Sequence, residues 1–143
     1  MKPENNLSRF LKAQHGDYDR ALTEIKNGRK QSHWMWYIFP QMAGLCFSNM
    51  AALYAINDLA EASAYLNHPI LGNRLIEIAS AILDIEGKTA NQIMGSPDDL
   101  KLRSSMTLFS LVKNTDSVFQ AVLDKFFAGQ PDPKTLSLVK DTF

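Results

Sequence analysis

Lys101 and Ser105 are the residues of this sequence whose types and spacing could most directly do chemistry. They lie four positions apart, so on a helix they share one side. Lys101 would also lie near the start of that helix, where free N–H groups favour an anion. The pair predicts binding of an anionic group, and its spacing also allows a lysine–serine nucleophile pair. In the alternative, the Lys101 side chain extends its ammonium group to water, or it pairs with a core carboxylate such as Glu61 or Asp58.

A second group of candidate residues lies in the segment 32–41, which holds both tryptophans of the chain. The rings of Trp34 and Trp36 could stack on a planar ligand. His33 and Gln41 could add directional hydrogen bonds. These residues predict half of a site for a ring-bearing molecule such as a nucleobase. The alternative is that most of these rings belong to the hydrophobic core.

Arg74 is the third candidate, because a guanidinium can hold a phosphate or a carboxylate with two parallel hydrogen bonds. The alternative for this residue is a salt bridge at the surface. Our leading hypothesis combines the three groups into one pocket for a small anionic, nucleotide-like metabolite. Seven residues are predicted to bind it: His33, Trp34, Trp36, Gln41, Arg74, Lys101 and Ser105. No catalytic residue is assigned.

Several classes of protein are disfavoured by composition and motifs. The three histidines and Cys46 share no metal-ligand spacing, and there is no glycine-rich nucleotide motif, so no metal or cofactor is predicted. Fifteen basic residues balance fifteen acidic ones, which argues against nucleic acid as a partner. No apolar run approaches a membrane span, and the N-terminus lacks a signal core. The single cysteine fits a reducing compartment, and we expect a cytoplasmic, bacterial protein.

Apolar spacing and capping residues predict an all-α fold, a compact bundle of about eight short to medium helices. We expect one domain over residues 1–143, with residues 1–6 frayed. Ser48, Asn57 and Thr89 are predicted to cap helices. The aromatic segment is predicted to be a turn or loop, because Pro40 disfavours helix at the residue before it.

Two predicted helices have features that bear on packing. The helix that follows Pro97 has apolar residues around more than half of its circumference, so it should be largely surrounded by protein. Lys101 and Ser105 fall within that apolar arc. In the helix that follows Pro69, Gly72 lies on the apolar side, which predicts a close approach of two helices.

Three blocks of sequence resemble one protein family. The blocks are His33-Trp34-x-Trp36-x-x-Phe39-Pro40-Gln41, Glu61-Ala62-x-x-Tyr65-Leu66-x-His68-Pro69-x-Leu71-Gly72-x-Arg74-Leu75, and Asp99-x-Lys101-x-x-Ser104-Ser105-Met106-Thr107-Leu108-Phe109. Together they are similar to the bacterial domain-of-unknown-function family 1810, over nearly the whole chain. The resemblance implies a small, mainly α-helical protein and no established activity. Some members carry the label calpastatin, but calpastatins are disordered, whereas this apolar content predicts a compact chain.

Two further hypotheses accompany the binding pocket. In general helical layout the chain is similar to NADAR-type domains, which implies a hydrolase or N-glycosidase acting on an ADP-ribose or NAD-derived metabolite. His33 or Asp99 would then serve as the base. The third hypothesis is a protein-interaction module without a pocket. It predicts an exposed apolar patch at the aromatic segment or at Phe126 and Phe127.

Overall fold

The structure, a computed structural model, describes residues 7–140, and the regular elements in that range are all helices apart from one isolated β-bridge. The all-α prediction is therefore confirmed, with ten helices in this range where about eight were expected. The expected fraying of residues 1–6 lies outside the described residues. In chain order the helices are α1 (Ser8–Gln14), α2 (Asp17–Lys26), α3 (Met35–Ile38), α4 (Asn49–Tyr54), α5 (Leu59–Asn67), α6 (Leu71–Leu83), α7 (Ala90–Met94), α8 (Asp98–Ser110), α9 (Val118–Phe127) and α10 (Pro133–Lys140).

Side-chain caps start several of these helices where the sequence predicts them. Ser48 accepts a hydrogen bond from the backbone N–H three residues on and caps α4. Thr89 and Gln92 form a reciprocal capping box at the start of α7. The predicted cap Asn57 is wrong by one position, because Asp58 makes the capping hydrogen bond of α5. Two polar residues in succession left that boundary ambiguous in the sequence.

The aromatic segment, predicted to be a turn or loop, contains one helical turn, α3. Pro40 disfavours helical geometry only at Phe39, which lies just outside the turn, so the four residues before it can form one turn of helix. The chain then pairs with a later segment through a single parallel bridge between Met42 and Ile56. Two backbone hydrogen bonds of 2.8 and 2.9 Å hold this bridge. The bridge fixes Gln41 and the segment that follows it against the start of α5.

The helix α8 lies at the centre of the described residues and contacts α5, α7, α9 and α10. This burial confirms the prediction made from its apolar circumference. Its buried residues are Leu102, Ser104, Ser105, Met106, Thr107, Leu108 and Phe109. α6 packs against α2, α5 and α9, and together these contacts enclose one continuous apolar core. Within residues 7–140, no helix has both the length and the apolar character needed to cross a membrane.

The close approach predicted at Gly72 is confirmed. A β-carbon at this position would lie 1.8 Å from the carbonyl oxygen of Leu66, so no larger residue fits without separating α5 from α6. His68 shapes the same turn, since its Nδ1 accepts hydrogen bonds from the backbone N–H groups of Ile70 at 3.1 Å and Leu71 at 3.2 Å. The second of the three sequence blocks, which runs from Glu61 to Leu75, therefore forms a tight helical hairpin of α5 and α6.

Candidate functional site

Trp36 of α3 and Lys101 of α8 meet at the surface of the core. The ammonium nitrogen of Lys101 lies 3.9 Å from the centroid of the Trp36 ring, which is cation–π geometry. The same nitrogen lies 3.3 Å from Asp98, three residues earlier on α8. Lys101 therefore pairs with a carboxylate, as in the alternative, but the partner is Asp98 and not Glu61 or Asp58. An acid three positions before a lysine on a helix is spaced for such a pair.

A second lysine completes a symmetrical arrangement around Asp98. Lys30, in the connector after α2, lies 2.9 Å from the other oxygen of Asp98, and its ammonium lies 4.9 Å from the ring of Trp34. Two cations thus share one carboxylate, and each covers one indole. We call Trp34, Lys30, Asp98, Lys101 and Trp36 the tryptophan–lysine array. Two lysines and one carboxylate leave one net positive charge in this array. Because the charged groups are mostly buried, leaving that charge without a partner costs free energy.

Trp34 is held entirely inside the core. Its side chain is 1% exposed, and its indole N–H donates to Glu24 of α2 at 2.9 Å. The same carboxylate accepts from the backbone N–H groups of Gln31 and Ser32 and from the Ser32 hydroxyl. Partial burial raises the pKa of Glu24, but these hydrogen bonds outweigh that effect and bring the pKa down to about 2. Trp34 thus has a satisfied N–H and no free ring face for a ligand.

A small pocket with a volume of about 10 Å³ lies beside Trp36. Gln41 also lines it, and its side chain is 92% buried with an amide nitrogen that has no hydrogen-bond partner in the described range. An unsatisfied buried amide costs free energy unless water or a ligand completes it. The pocket lies between the aromatic segment and α4, and its lining residues are Trp36, Gln41, Met42, Ala43, Leu45, Cys46, Ala51, Tyr54 and Ala55.

Ser105 is fully buried, and its hydroxyl has no hydrogen-bond partner within residues 7–140. It therefore makes no hydrogen bond with Lys101, although the two lie one turn apart on α8. The neighbouring Ser104 behaves differently, since its hydroxyl donates to Asp132 at 2.9 Å. The contact that a lysine–serine nucleophile pair requires is not formed in this arrangement.

Arg74 belongs to a different polar cluster, between α1, α2 and α6. Its guanidinium donates to Gln14 at 3.2 Å and lies 5.1 Å from the ring of Tyr18. Gln14 in turn donates to the backbone carbonyl of Tyr37 at 2.8 Å and to the hydroxyl of Tyr65 at 3.0 Å. Complete burial raises the pKa of the Tyr65 hydroxyl. Arg74 is thus engaged in core packing and does not line the pocket beside Trp36.

His33 is exposed, and its side chain makes no hydrogen bond or ion pair with residues 7–140. Its backbone carbonyl accepts a long hydrogen bond of 3.4 Å from Tyr37. Of the seven predicted residues, Trp36 and Gln41 line the pocket, and Lys101 lies over the ring of Trp36 but outside the lining. Trp34 belongs to the same array with its ring buried, whereas His33, Arg74 and Ser105 lie elsewhere.

Sequence reasoning did not identify four residues of this region: Lys30, Asp98, Cys46 and Tyr54. The three-residue spacing between Asp98 and Lys101 could have indicated their pairing from the sequence. No local pattern indicates the other three residues, because they reach this region through tertiary packing. Among the described residues, no group of three or more histidine, cysteine, aspartate or glutamate side chains is arranged to hold a metal ion.

An apolar surface adjoins the pocket. Phe47 is 86% exposed and Leu53 is 52% exposed, with Met50 between them in sequence. Phe126 and Phe127, the other position expected for such a patch, are half-buried against the core. Three of the seven exposed large apolar side chains in the described range thus lie on and just before α4, beyond the end of the aromatic segment, and the other four are dispersed along the chain.

Two comparisons place the chain among known proteins. A family model described as "Protein of unknown function (DUF1810)" matches residues 4–139. The crystal structure of the conserved hypothetical protein Rv1873 from Mycobacterium tuberculosis is 43% identical in sequence, with a TM-score of 0.93 over 94% of this chain and 96% of that chain. None of the curated proteins matches the sequence. As the three sequence blocks predicted, the chain belongs to the DUF1810 family of proteins of unknown function.

Proposed function

We propose that this protein binds a small planar metabolite with one acidic group, nucleotide-like in its ring, in the pocket beside Trp36. One observation carries the proposal: the buried amide nitrogen of Gln41 has no hydrogen-bond partner among residues 7–140, and Gln41 lines that pocket. A ligand carbonyl or ring nitrogen would complete its hydrogen bonding. The rest of the lining is mostly apolar, as in other small-molecule sites.

The tryptophan–lysine array supplies the attraction for the acidic group. Lys30 and Lys101 together carry two positive charges and share only Asp98. An anion beside Lys101 would neutralise the remaining charge, and in partly buried surroundings such a pair is screened little by salt. The Lys101 side chain is 16% exposed, so its ammonium stays accessible while it covers Trp36.

The size of the pocket restricts the ligand. Its volume on the scale used for small-molecule sites is about 10 Å³, which is room for about one water molecule, whereas such sites measure roughly 300 to 1,000 Å³. A ring would therefore enter only if side chains of the aromatic segment and α4 moved apart, and a small ring requires less movement than a whole dinucleotide. This supports a single-ring acid or the base of a mononucleotide over intact NAD or ADP-ribose.

The lining also favours binding over hydrolysis. General acid–base chemistry most often uses an imidazole or a carboxylate within hydrogen-bond reach of the reacting atoms. The lining includes neither, its titratable side chains are Cys46 and Tyr54, and both His33 and Asp99 lie outside the lining. The hydrolase and N-glycosidase alternative therefore has less support than the binding role. A cytoplasmic location remains a prediction from the composition.

Calorimetric titration with orotate, benzoate and AMP tests the proposal. We expect saturable binding of at least one probe, and a loss of at least about tenfold in affinity for Gln41→Leu and for Lys101→Met, because each removes a group that recognises the ligand. Gln130→Leu and Lys113→Met, at exposed positions, are the matched controls and should bind normally. Without ligand, Gln41→Leu should be as stable to heat as the parent or more stable, since it removes an unsatisfied buried amide.

Cys46 provides an independent measurement, because it is the only cysteine of the chain and lines the same pocket. A bound ligand should slow the reaction of Cys46 with a maleimide, and Gln41→Leu should abolish that protection. Failure of every probe to saturate, or unchanged affinity in both site variants, would contradict the proposed pocket.

A further inference from the structure

A second concave surface lies between the connector after α2 and the segment from the end of α6 through α7. It is larger than the pocket beside Trp36, with a volume of about 550 Å³. We call it the basic groove. Its lining residues are Arg29, Lys30, Gly87, Lys88, Asn91, Gln92, Ile93, Met94 and Gly95.

The groove differs in charge from the chain as a whole. Acidic and basic residues balance over the sequence, yet the groove lining has three cations and no carboxylate. Lys30 is neutralised by Asp98, whereas Arg29 and Lys88 form no ion pair with any residue from 7 to 140. Two cationic side chains of the lining are therefore available to an anion.

A hydrogen bond to the backbone holds the side chain of Lys88 in position. Its ammonium donates to the backbone carbonyl of Gly28 at 2.9 Å, directly beside Arg29 in sequence. One of its three N–H donors is thus used, and two remain. On its other side Lys88 also lines a neighbouring hollow that includes one further cation, Lys26, and one carboxylate, Asp84.

The turn after α6 offers backbone donors to the same surface. Gly87 has a left-handed φ of 76°, and nothing lies within 4 Å of where its β-carbon would be. No carbonyl or side chain of the described range accepts from the backbone N–H groups of Gly87 and Lys88. Successive free N–H groups beside cations are a common arrangement at phosphate sites.

We propose that the basic groove binds a pyrophosphate group, either free or as part of a phosphorylated metabolite. Arg29 would bind two phosphate oxygens with its planar guanidinium, and Lys88 would neutralise a third. The backbone N–H groups of the turn would complete the coordination. The lining contains no aromatic ring to stack on a base, so recognition would rest on the phosphate groups.

Titration with inorganic pyrophosphate at low ionic strength tests this inference. We expect saturable binding that weakens as salt is added, and a loss of at least about tenfold in affinity for the double variant Arg29→Gln/Lys88→Gln. The matched control is Lys113→Gln/Lys134→Gln, which removes two exposed cations elsewhere and should bind normally. Because Lys88 also caps the end of α2, Arg29→Gln alone serves as a second variant that leaves that contact intact.

Amide chemical shifts locate the bound ion. Pyrophosphate should move the backbone signals of Gly87 and Lys88 and leave the indole signal of Trp36 unchanged. Absence of saturable binding, an equal loss in the control variant, or shifts at Trp36 in place of the turn would each overturn the inference. Gln41→Leu should bind pyrophosphate normally, so failure of the proposed metabolite pocket and failure of the basic groove give different results.

Discussion

Charged side chains that are buried in this protein make hydrogen bonds and ion pairs with several partners, as Glu61 and Arg9 illustrate. Glu61 of α5 is 3% exposed and accepts from the guanidinium of Arg9 at 3.3 Å. Arg9 also donates to the backbone carbonyls of Leu53 and Ala55, both at 2.8 Å. Such a pair is costly to break, because removal of one partner leaves the other charge buried. The ionised side chains of the core thus tie distant parts of the chain together.

Glu24→Gln should destabilise the protein at neutral pH by about 2 kcal/mol, since a neutral amide replaces a carboxylate that accepts four hydrogen bonds. The pKa of Glu24 falls from an ordinary value of 4.5 to about 2 on folding. A lowered pKa stabilises the fold above pH 4.5, and this contribution is lost as the pH falls toward 2. Urea unfolding of the parent and the variant across this range measures the effect.

The variant should show a weaker pH dependence than the parent between pH 4.5 and 2. Glu86→Gln is the control, because Glu86 is exposed and makes only a surface ion pair with Lys125. Equal pH profiles for the parent and Glu24→Gln would show that the hydrogen bonds of Glu24 do not lower its pKa as described.

Helices α8 and α10 are joined by polar contacts that centre on Asp132. Its carboxylate accepts from Ser104 at 2.9 Å and from the hydroxyl of Thr135 at 2.6 Å. Its backbone N–H donates to Thr107 at 2.9 Å. The Asp132 side chain therefore caps α10 and also contacts α8. These contacts help to orient α8, the central helix that carries Lys101.

Gly72→Ala should destabilise the fold by at least about 2 kcal/mol, because the new methyl group would overlap the carbonyl of Leu66 and force α5 and α6 apart. Ser80→Ala, further along the same helix, is the control and should change the stability little. Thermal or chemical unfolding of both variants measures the difference. A Gly72→Ala variant as stable as the parent would mean that the two helices separate at little cost.

The whole described chain shares one apolar core, to which all helices from α1 to α10 contribute. Its unfolding should therefore be a single cooperative transition. In a Trp36→Phe variant, Trp34 is the only tryptophan and reports on the core through its fluorescence. We expect its transition in urea to coincide with the loss of helix seen by circular dichroism. Two separated transitions would contradict a single cooperative domain.

Much of the fold could be predicted from local signals, and the site only in part. Thr89 carries its capping partner three residues away, and the apolar pattern around α8 reports its burial directly, so both could be read in sequence. Gln41 was predicted as a ligand-binding residue, but its orphaned amide depends on packing against α4. Lys30 and Asp98 lie 68 positions apart, and no local pattern predicts that they meet. The guanidinium of Arg74 is suited to binding an anion, but it donates to Gln14 instead. That contact depends on how α1 packs on α6, which the sequence does not show.

The 1.8 Å separation at Gly72 also provides a criterion for comparing homologues. A homologue with any side chain at the equivalent position must have its α5–α6 hairpin opened or shifted in register. Its backbone could not then be superposed on this one through that turn. Glycine at this position thus indicates, from an alignment alone, which homologues can share the hairpin and can be built on this structure as a template.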